Sequence, residues 1–393
     1  MFFRLLIIAI ALCAGFYAST HAGELTFLCM LLSVAGAGLL LCLLVRRDWA
    51  AWLGVGVLSL ALGGAVLEWF FCKQDAAWLD GRVEEGGIKT RPDDAMGFVP
   101  VGDQPFPTRV TLKGSEVYNV TYTFRDGRRV TPEHPRARKA VFFFGCSFTA
   151  GHGVQDGEVF PWLVGELLGK DWQVRNYALS GYGPHQFLAQ LESGRLDTAL
   201  TGRDGAVWEE LDVFFLLIKW HELRVAGYSY WDPHGPLYVR AGDTVERRGN
   251  FDAPQGMSLG ERVAWEVAWR FRRSYLGRKL FAQTWRVNGE ELQFVQRAVL
   301  CRAQELLRQK NPRARFTLLL WPTVGDRAAF YAQAGLRTLD LTPALPQWPD
   351  ETPYTIPNEV HPSAHAHALV ARYLVDWLQR GGPAGTSAGT SGP

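Results

Sequence analysis

Polar positions nearly vanish from the first 72 residues of the chain. Leu25–Val45 and Trp49–Cys72 are continuous apolar runs, and Phe2–Ala18 is a shorter third. A run of about 20 apolar residues is what a helix needs to cross a bilayer, so two or three membrane helices are expected in 1–72. Beyond them the pattern changes to alternation. Residues 76–138 are turn-rich, and Val117–Phe124, Asp126-Gly127 and Arg128–Val130 read as strand, turn and returning strand. We expect 76–138 to be a β-rich accessory region packed beside the main domain.

From residue 139 short apolar runs alternate with helical stretches. Ala140–Gly145, Trp172–Ala178, Leu211–Lys219, Arg315–Trp321 and the weaker Leu336–Leu341 are strand candidates. Helical patterning falls near 160–169, 185–196, 258–285, 290–310 and 363–380. Pro236–Arg247 looks like an inserted hairpin, and the Gly/Ser/Thr-rich tail 381–393 is expected to be disordered. Strands separated by helices imply βαβ units and a parallel sheet, whose ligands bind at the carboxyl ends of the strands. The expected fold of 139–380 is a three-layer α/β/α parallel sheet.

Charge sharpens this division. The 393 residues carry 41 Lys and Arg against 39 Asp and Glu, a net +2 that speaks against nucleic acid as a partner. Only Arg4, Glu24, Arg46, Arg47, Asp48 and Glu68 are charged within 1–72. Arg46 and Arg47 separate two of the apolar runs, and positive loops stay in the cytoplasm. Everything after Cys72 is therefore expected outside the cytoplasm of a multi-pass inner or plasma membrane protein. That holds whether 1–22 is a span or a leader cleaved after Thr20-His21-Ala22. Glu68 reads as interfacial. Cys146 and Cys301 are the only cysteines beyond the apolar block, which allows one disulfide and no metal cluster.

Chemistry concentrates after the first strand. Gly145-Cys146-Ser147-Phe148-Thr149-Ala150-Gly151 places a serine on a Gly-flanked turn into a helix, a position suited to a nucleophile. Thr149 occupies the last position of the pentapeptide, which departs from the G-x-S-x-G elbow. The second strand runs into Asn176-Tyr177-Ala178-Leu179-Ser180-Gly181. Asn358-Glu359-Val360-His361-Pro362-Ser363 opens the last helix.

In this order and spacing the three segments resemble the blocks of the SGNH (GDSL-like) hydrolase family. The resemblance implies a flavodoxin-like fold, Ser147 as nucleophile, His361 as base, and Ser147 and Gly181 N–H groups as oxyanion donors. It implies no cofactor. Two positions depart from the family. Asn358 stands where an Asp is usual three residues before the histidine. Glu359 becomes the candidate for orienting His361, with Asn358 as the alternative. After the third strand, Lys219–Arg224 offers no Asn; His221 is the candidate for that oxyanion donor, or a histidine without a role.

Asn176, His152 and Arg224 are candidate substrate contacts, with a loop histidine and a surface ion pair as the plainer readings of the last two. His185 is weighed as His152 is. Asp156 reads as closing a turn. His361 and His365 are four apart, but no third ligand accompanies them, so no metal is expected. The basic, aromatic stretch Trp265–Trp285 covers the sheet or lies on the membrane surface.

The expected function is a membrane-anchored extracytoplasmic serine esterase acting on an acylated envelope polysaccharide or lipid. O-acyl transfer onto an exported polysaccharide is the close alternative. A non-catalytic saccharide-binding or scaffold protein of the same fold is the other.

Overall fold

The computed structural model describes residues 26–44, 48–78, 80–201, 208–229, 232–280, 289–348 and 351–381. The expectations for Phe2–Ala18, the leader, the Arg46-Arg47 loop and almost all of the tail lie outside them. The chain divides into two compact units, one from 1–80, 227–230 and 256–289, the other from 81–226, 231–255 and 290–393.

In the first unit, helices Thr26–Leu44 and Asp48–Trp78 pack as a hairpin. Small residues allow the approach: a Cβ on Gly38 would stand 3.0 Å from the Gly54 carbonyl oxygen, and one on Gly54 would meet Cys42 Sγ at 2.5 Å. Among the described residues one helix, Ala51–Asp75, is long and apolar enough to cross a membrane; in the preceding helix the apolar stretch is the shorter Cys29–Leu40. Glu68 is fully buried, not interfacial. Its carboxylate accepts the Tyr275 and Leu276 backbone N–H groups at 3.0 and 2.7 Å.

The helix expected over 258–285 ends earlier. It spans Leu259–Arg273, started by a capping box in which Ser258 and Glu261 bond reciprocally. Ser274 is extended (φ −66°, ψ 159°), and its hydroxyl accepts from Gly277 N at 2.8 Å to start a new turn, Tyr275–Gly277. Its basic residues lean on aromatic rings: Arg272 lies over Trp265 and Arg273 over Trp269.

Among its described residues the second unit holds fourteen strands, numbered in chain order. They are β1 (Arg82–Gly86), β2 (Thr90–Asp93), β3 (Gly97–Pro100), β4 (Pro105–Leu112), β5 (Ser115–Arg125), β6 (Arg128–Arg129), β7 (Lys139–Phe144), β8 (Trp172–Asn176), β9 (Glu210–Leu217), β10 (Pro236–Ala241), β11 (Thr244–Asn250), β12 (Ala253–Pro254), β13 (Ala314–Leu320) and β14 (Arg337–Asp340). Nine form one sheet in the order β1-β4-β5-β6-β8-β7-β9-β13-β14. The five from β8 to β14 are parallel, and counted among themselves in chain order they lie 2-1-3-4-5, the flavodoxin-like order.

The sheet as a whole is mixed, which corrects the all-parallel expectation. The strands of 82–129 do not form a neighbouring unit; β1, β4, β5 and β6 extend the same sheet with antiparallel pairing. Arg129 of β6 pairs with Asn176 of β8 and so covers part of the edge that a parallel sheet would leave with unpaired N–H and C=O groups. The remaining strands form a β2–β3 pair and a β10–β12 sheet, which contains the hairpin expected at 236–247.

Alternation along β7 explains the layers. Phe142 and Phe144 point into a core with Phe187, Leu191, Val299 and Leu307, from helices Pro184–Glu192 and Gly289–Lys310. Val141 and Phe143 point the opposite way, toward Phe160, Val164, Val370 and Leu374 of helices Phe160–Leu168 and Ala364–Gln379. Strands buried on both faces read as unbroken apolar runs, as β7 and β9 do. Cys146 and Cys301 are free thiols, so the allowed disulfide does not form.

Candidate functional site

The site lies at the carboxyl end of β7, beside the point where strand order reverses between β7 and β9. Gly145 sits at φ +148°, and a Cβ there would stand 2.4 Å from Thr149 Oγ1. Only glycine fits this turn. It delivers Ser147 to the first position of a short helix, Ser147–Ala150, where backbone N–H groups have no intrahelical partner. Ser147 is 6% exposed.

His361 arrives from the far end of the chain. Thr355 bridges Pro362, and Ile356 N donates to His361 O at 3.0 Å, closing a tight turn. Asn358 takes the left-handed conformation this turn needs, with φ +60°, and is exposed. Ser363 then caps helix Ala364–Gln379 through Ala366 N. The histidine is thus fixed between a closed turn and a helix start.

Its Nε2 lies 2.9 Å from Ser147 Oγ and its Nδ1 3.0 Å from Glu359 Oε1. A carboxylate only accepts, so the ring proton belongs on Nδ1 and Nε2 is left to accept from the serine hydroxyl. Burial alone would raise the Glu359 pKa. The His361 bond and charge, the Val360 N–H and Arg82 outweigh it and pull the carboxyl down to about 2. Its second oxygen receives Arg82 Nη2 at 2.5 Å. Glu359, not Asn358, therefore occupies the orienting position.

Around this chain stands an aromatic wall. Phe148 meets the His361 ring edge-on, with centroids 5.5 Å apart. The His152 ring packs against it, tilted by 35° with centroids 4.3 Å apart, and bonds Tyr118 Oη through Nε2 at 2.9 Å. Burial, and then the neighbouring His361 charge, hold His152 near a pKa of about 3, so it is neutral at ordinary pH. The loop bearing His152 is held by Arg129, whose guanidinium donates to the carbonyls of Ala150, Gly151 and Val154 and pairs with Asp156 at 3.0 Å. Asp156 also accepts from Thr123 N, tying the loop to β5.

Asn176, Gly181, Arg224, His221 and His185 are the other candidates. Asn176 donates to Thr149 O at 3.0 Å and accepts from Ala178 N, cross-linking the β8 end to the nucleophile turn. Gly181 lies in the loop after β8 with φ +93°. Arg224 is buried and donates to Tyr182 O at 2.7 Å, so it does not lie at the surface. His221 is fully buried, packs on Phe215, and accepts Ile218 N on Nδ1, which places its proton on Nε2. These partners do not include Ser147 or His361. His185 is also buried rather than in a solvated loop. It stands 3.6 Å from Asp232, which accepts from Gln186.

His152, Glu359 and His361 could together offer a cation three ligand atoms, all within 4.8 Å. Those atoms are already engaged, and the Arg82 cation beside Glu359 opposes a second positive charge; we assign no metal. His365 stacks on Tyr354 and His367 accepts Phe160 N, so neither joins His361 in a ligand set. Sequence reasoning missed Arg82, Tyr118 and Arg129. They reach the site through sheet pairing, and no local motif marks them.

No family model matches the chain, and no curated protein matches it. Among solved structures, it is similar to a lipolytic G-D-S-L family protein from Veillonella parvula DSM 2008, at 12% identity and TM-score 0.33, covering 62% of this chain and 99% of that one. It is similar to the acetyl xylan esterase Est2A of Butyrivibrio proteoclasticus at 12% identity and TM-score 0.35, covering 76% and 89%. A carbohydrate esterase with divergent catalytic and non-catalytic binding functions matches at 14% identity and TM-score 0.34, covering 76% and 97%. The solved structures this chain is similar to are, in these cases, lipolytic proteins of the GDSL family and carbohydrate esterases.

Proposed function

We propose that the protein is a serine esterase that removes acyl groups from an envelope polysaccharide or lipid, held at the outer face of a membrane by its N-terminal helices. The observation that carries this reading is the bonded series Ser147 Oγ, His361 Nε2, His361 Nδ1, Glu359 Oε1, at 2.9 and 3.0 Å. A neutral serine is a weak nucleophile, and a base within hydrogen-bond reach activates it.

Ser147 Oγ attacks the ester carbonyl carbon while its proton passes to His361 Nε2. Ser147 N–H, with Gly181 N–H as its proposed partner, faces the oxyanion, and each such donor contributes about 10²–10³ in rate. The C–O bond to the alcohol breaks as His361 returns the proton to the departing oxygen, leaving an acyl-serine. Water, deprotonated by His361, then releases the acid and restores Ser147. Glu359 stays ionised throughout and stabilises the imidazolium.

The helix Ala51–Asp75 and the positive Arg46-Arg47 loop support the location. A glycan hydroxyl replacing water in the second half-reaction would give acyl transfer, and product analysis with a glycan acceptor separates the two. The test of the reading is p-nitrophenyl acetate turnover by detergent-solubilised protein. Wild type turns over, and Ser147→Ala at equal folding does not. Equal turnover by both contradicts it.

A further inference from the structure

Arg82 is the first residue of β1, the edge strand of the nine-stranded sheet, and Glu359 is 277 positions away. They meet directly, Arg82 Nη2 on Glu359 Oε2 at 2.5 Å, with side chains 17% and 10% exposed. An ion pair this shielded is not a solvated surface contact. The two Glu359 oxygens are divided: Oε1 takes His361 Nδ1 and Val360 N, and Oε2 takes Arg82.

We propose that Arg82 is a positioning residue of the esterase site, holding Glu359 in the one rotamer that orients His361 toward Ser147. The inference rests on the serine esterase reading above. It gives the N-terminal strands a task in the chemistry. β1 anchors the carboxylate through Arg82, and β5, through Tyr118, anchors the His152 ring that packs on His361.

The physical argument is one of degrees of freedom. A glutamate side chain has three rotatable bonds, one more than the aspartate usual at such positions, and Glu359 stands in an exposed turn beside left-handed Asn358. Without a second anchor its carboxylate can swing away from Nδ1. A cation on the far oxygen fixes both distance and direction, and Arg suits this because its guanidinium is planar and permanently charged. Other groups facing His361 do not replace it. His152 and Phe148 pack on the ring, Ser147 bonds the opposite nitrogen, the Arg129 cation is paired with Asp156, and neutral His367 accepts Phe160 N. Tyr118 bonds His152, and Glu84, being an anion, offers Glu359 Oε2 no counter-charge.

The test is a double-mutant cycle on p-nitrophenyl acetate turnover, with thermal melting to verify folding. Arg82→Ala is expected to lower kcat about 10- to 100-fold with little change in KM, since misplacement of a catalytic group by about 1 Å costs this much. Arg82→Lys is expected to restore most of the loss. In a Glu359→Gln background, Arg82→Ala is expected to cost less than threefold, because its action runs through the carboxylate. An equal loss in both backgrounds, or an unchanged kcat in Arg82→Ala, overturns the role of Arg82 and leaves the Ser147 reading standing. Turnover that survives in Ser147→Ala overturns that reading instead.

Discussion

Glu359 stands two residues before His361, and its Oε1 lies 3.0 Å from that histidine's Nδ1. The short loop between them gives a glutamate the reach that an aspartate one residue earlier supplies elsewhere. Glu359→Gln keeps the shape and removes the charge. An amide can present its NH2 to Nδ1 and favour the wrong tautomer, and it cannot stabilise the imidazolium. We expect kcat on p-nitrophenyl acetate to fall about 10²–10⁴-fold with KM nearly unchanged.

The same pair fixes the shape of the acid limb. Glu359 is held down to about 2 and His152 to about 3, so neither changes charge between pH 4 and pH 9. The logarithm of kcat/KM should fall with a slope of one on the acid side. A slope of two means that a second of these groups titrates.

How far the sequence discloses this site depends on the distance over which each signal acts. Ser147 and His361 stand in short motifs with strong local requirements, a glycine turn after a buried strand and a capped helix start. The parallel strands were legible because both faces are buried, which leaves unbroken runs such as Val141–Phe144. The mixed sheet was not legible. β6 has two residues, and its pairing with β8 is a long-range contact that no period encodes. Arg82 is invisible for the same reason. Its strand Arg82–Gly86 reads as polar and exposed, and only the folded sheet brings it to Glu359. The buried positions of His185 and Arg224 are set by packing against Phe251 and Tyr182, which residue type alone would place at a surface.

Stability should depend on pH through buried histidines. His185, His221 and His367 are at most 1% exposed, and burial lowers the pKa of each, as it does that of His152. A group depressed in the folded state takes up its proton on unfolding. The stability linked to these four is therefore complete above pH about 6.5 and declines as pH falls below it, down to about 3 for His152 and His367. The loss is up to about 1.4 kcal/mol per pH unit for each histidine. Glu359 also has a depressed value, so its contribution is present above 4.5 and is lost only as pH falls toward 2. Melting curves in detergent between pH 7 and pH 4.5 should show Tm falling steadily. His367→Phe should flatten the fall, because that ring stacks on Phe160 and has one less proton to gain.

Arg129 is 1% exposed and holds three carbonyls and Asp156 at once. Arg129→Met leaves these acceptors buried without a donor. Breaking a buried pair from one side costs about 3–5 kcal/mol, which should appear as a large drop in Tm. Activity should fall as well, because the loop it fixes carries His152, whose ring packs on His361. An unchanged Tm removes this clamp from the account.

The most direct measurement of the central claim is covalent labelling with a fluorophosphonate probe, read by peptide mass spectrometry. The account predicts one adduct on Ser147 in the wild-type protein, none in Ser147→Ala, and labelling slowed by at least about 100-fold in His361→Ala at matched folding. An adduct on another residue, or equal labelling of wild type and Ser147→Ala, would contradict it.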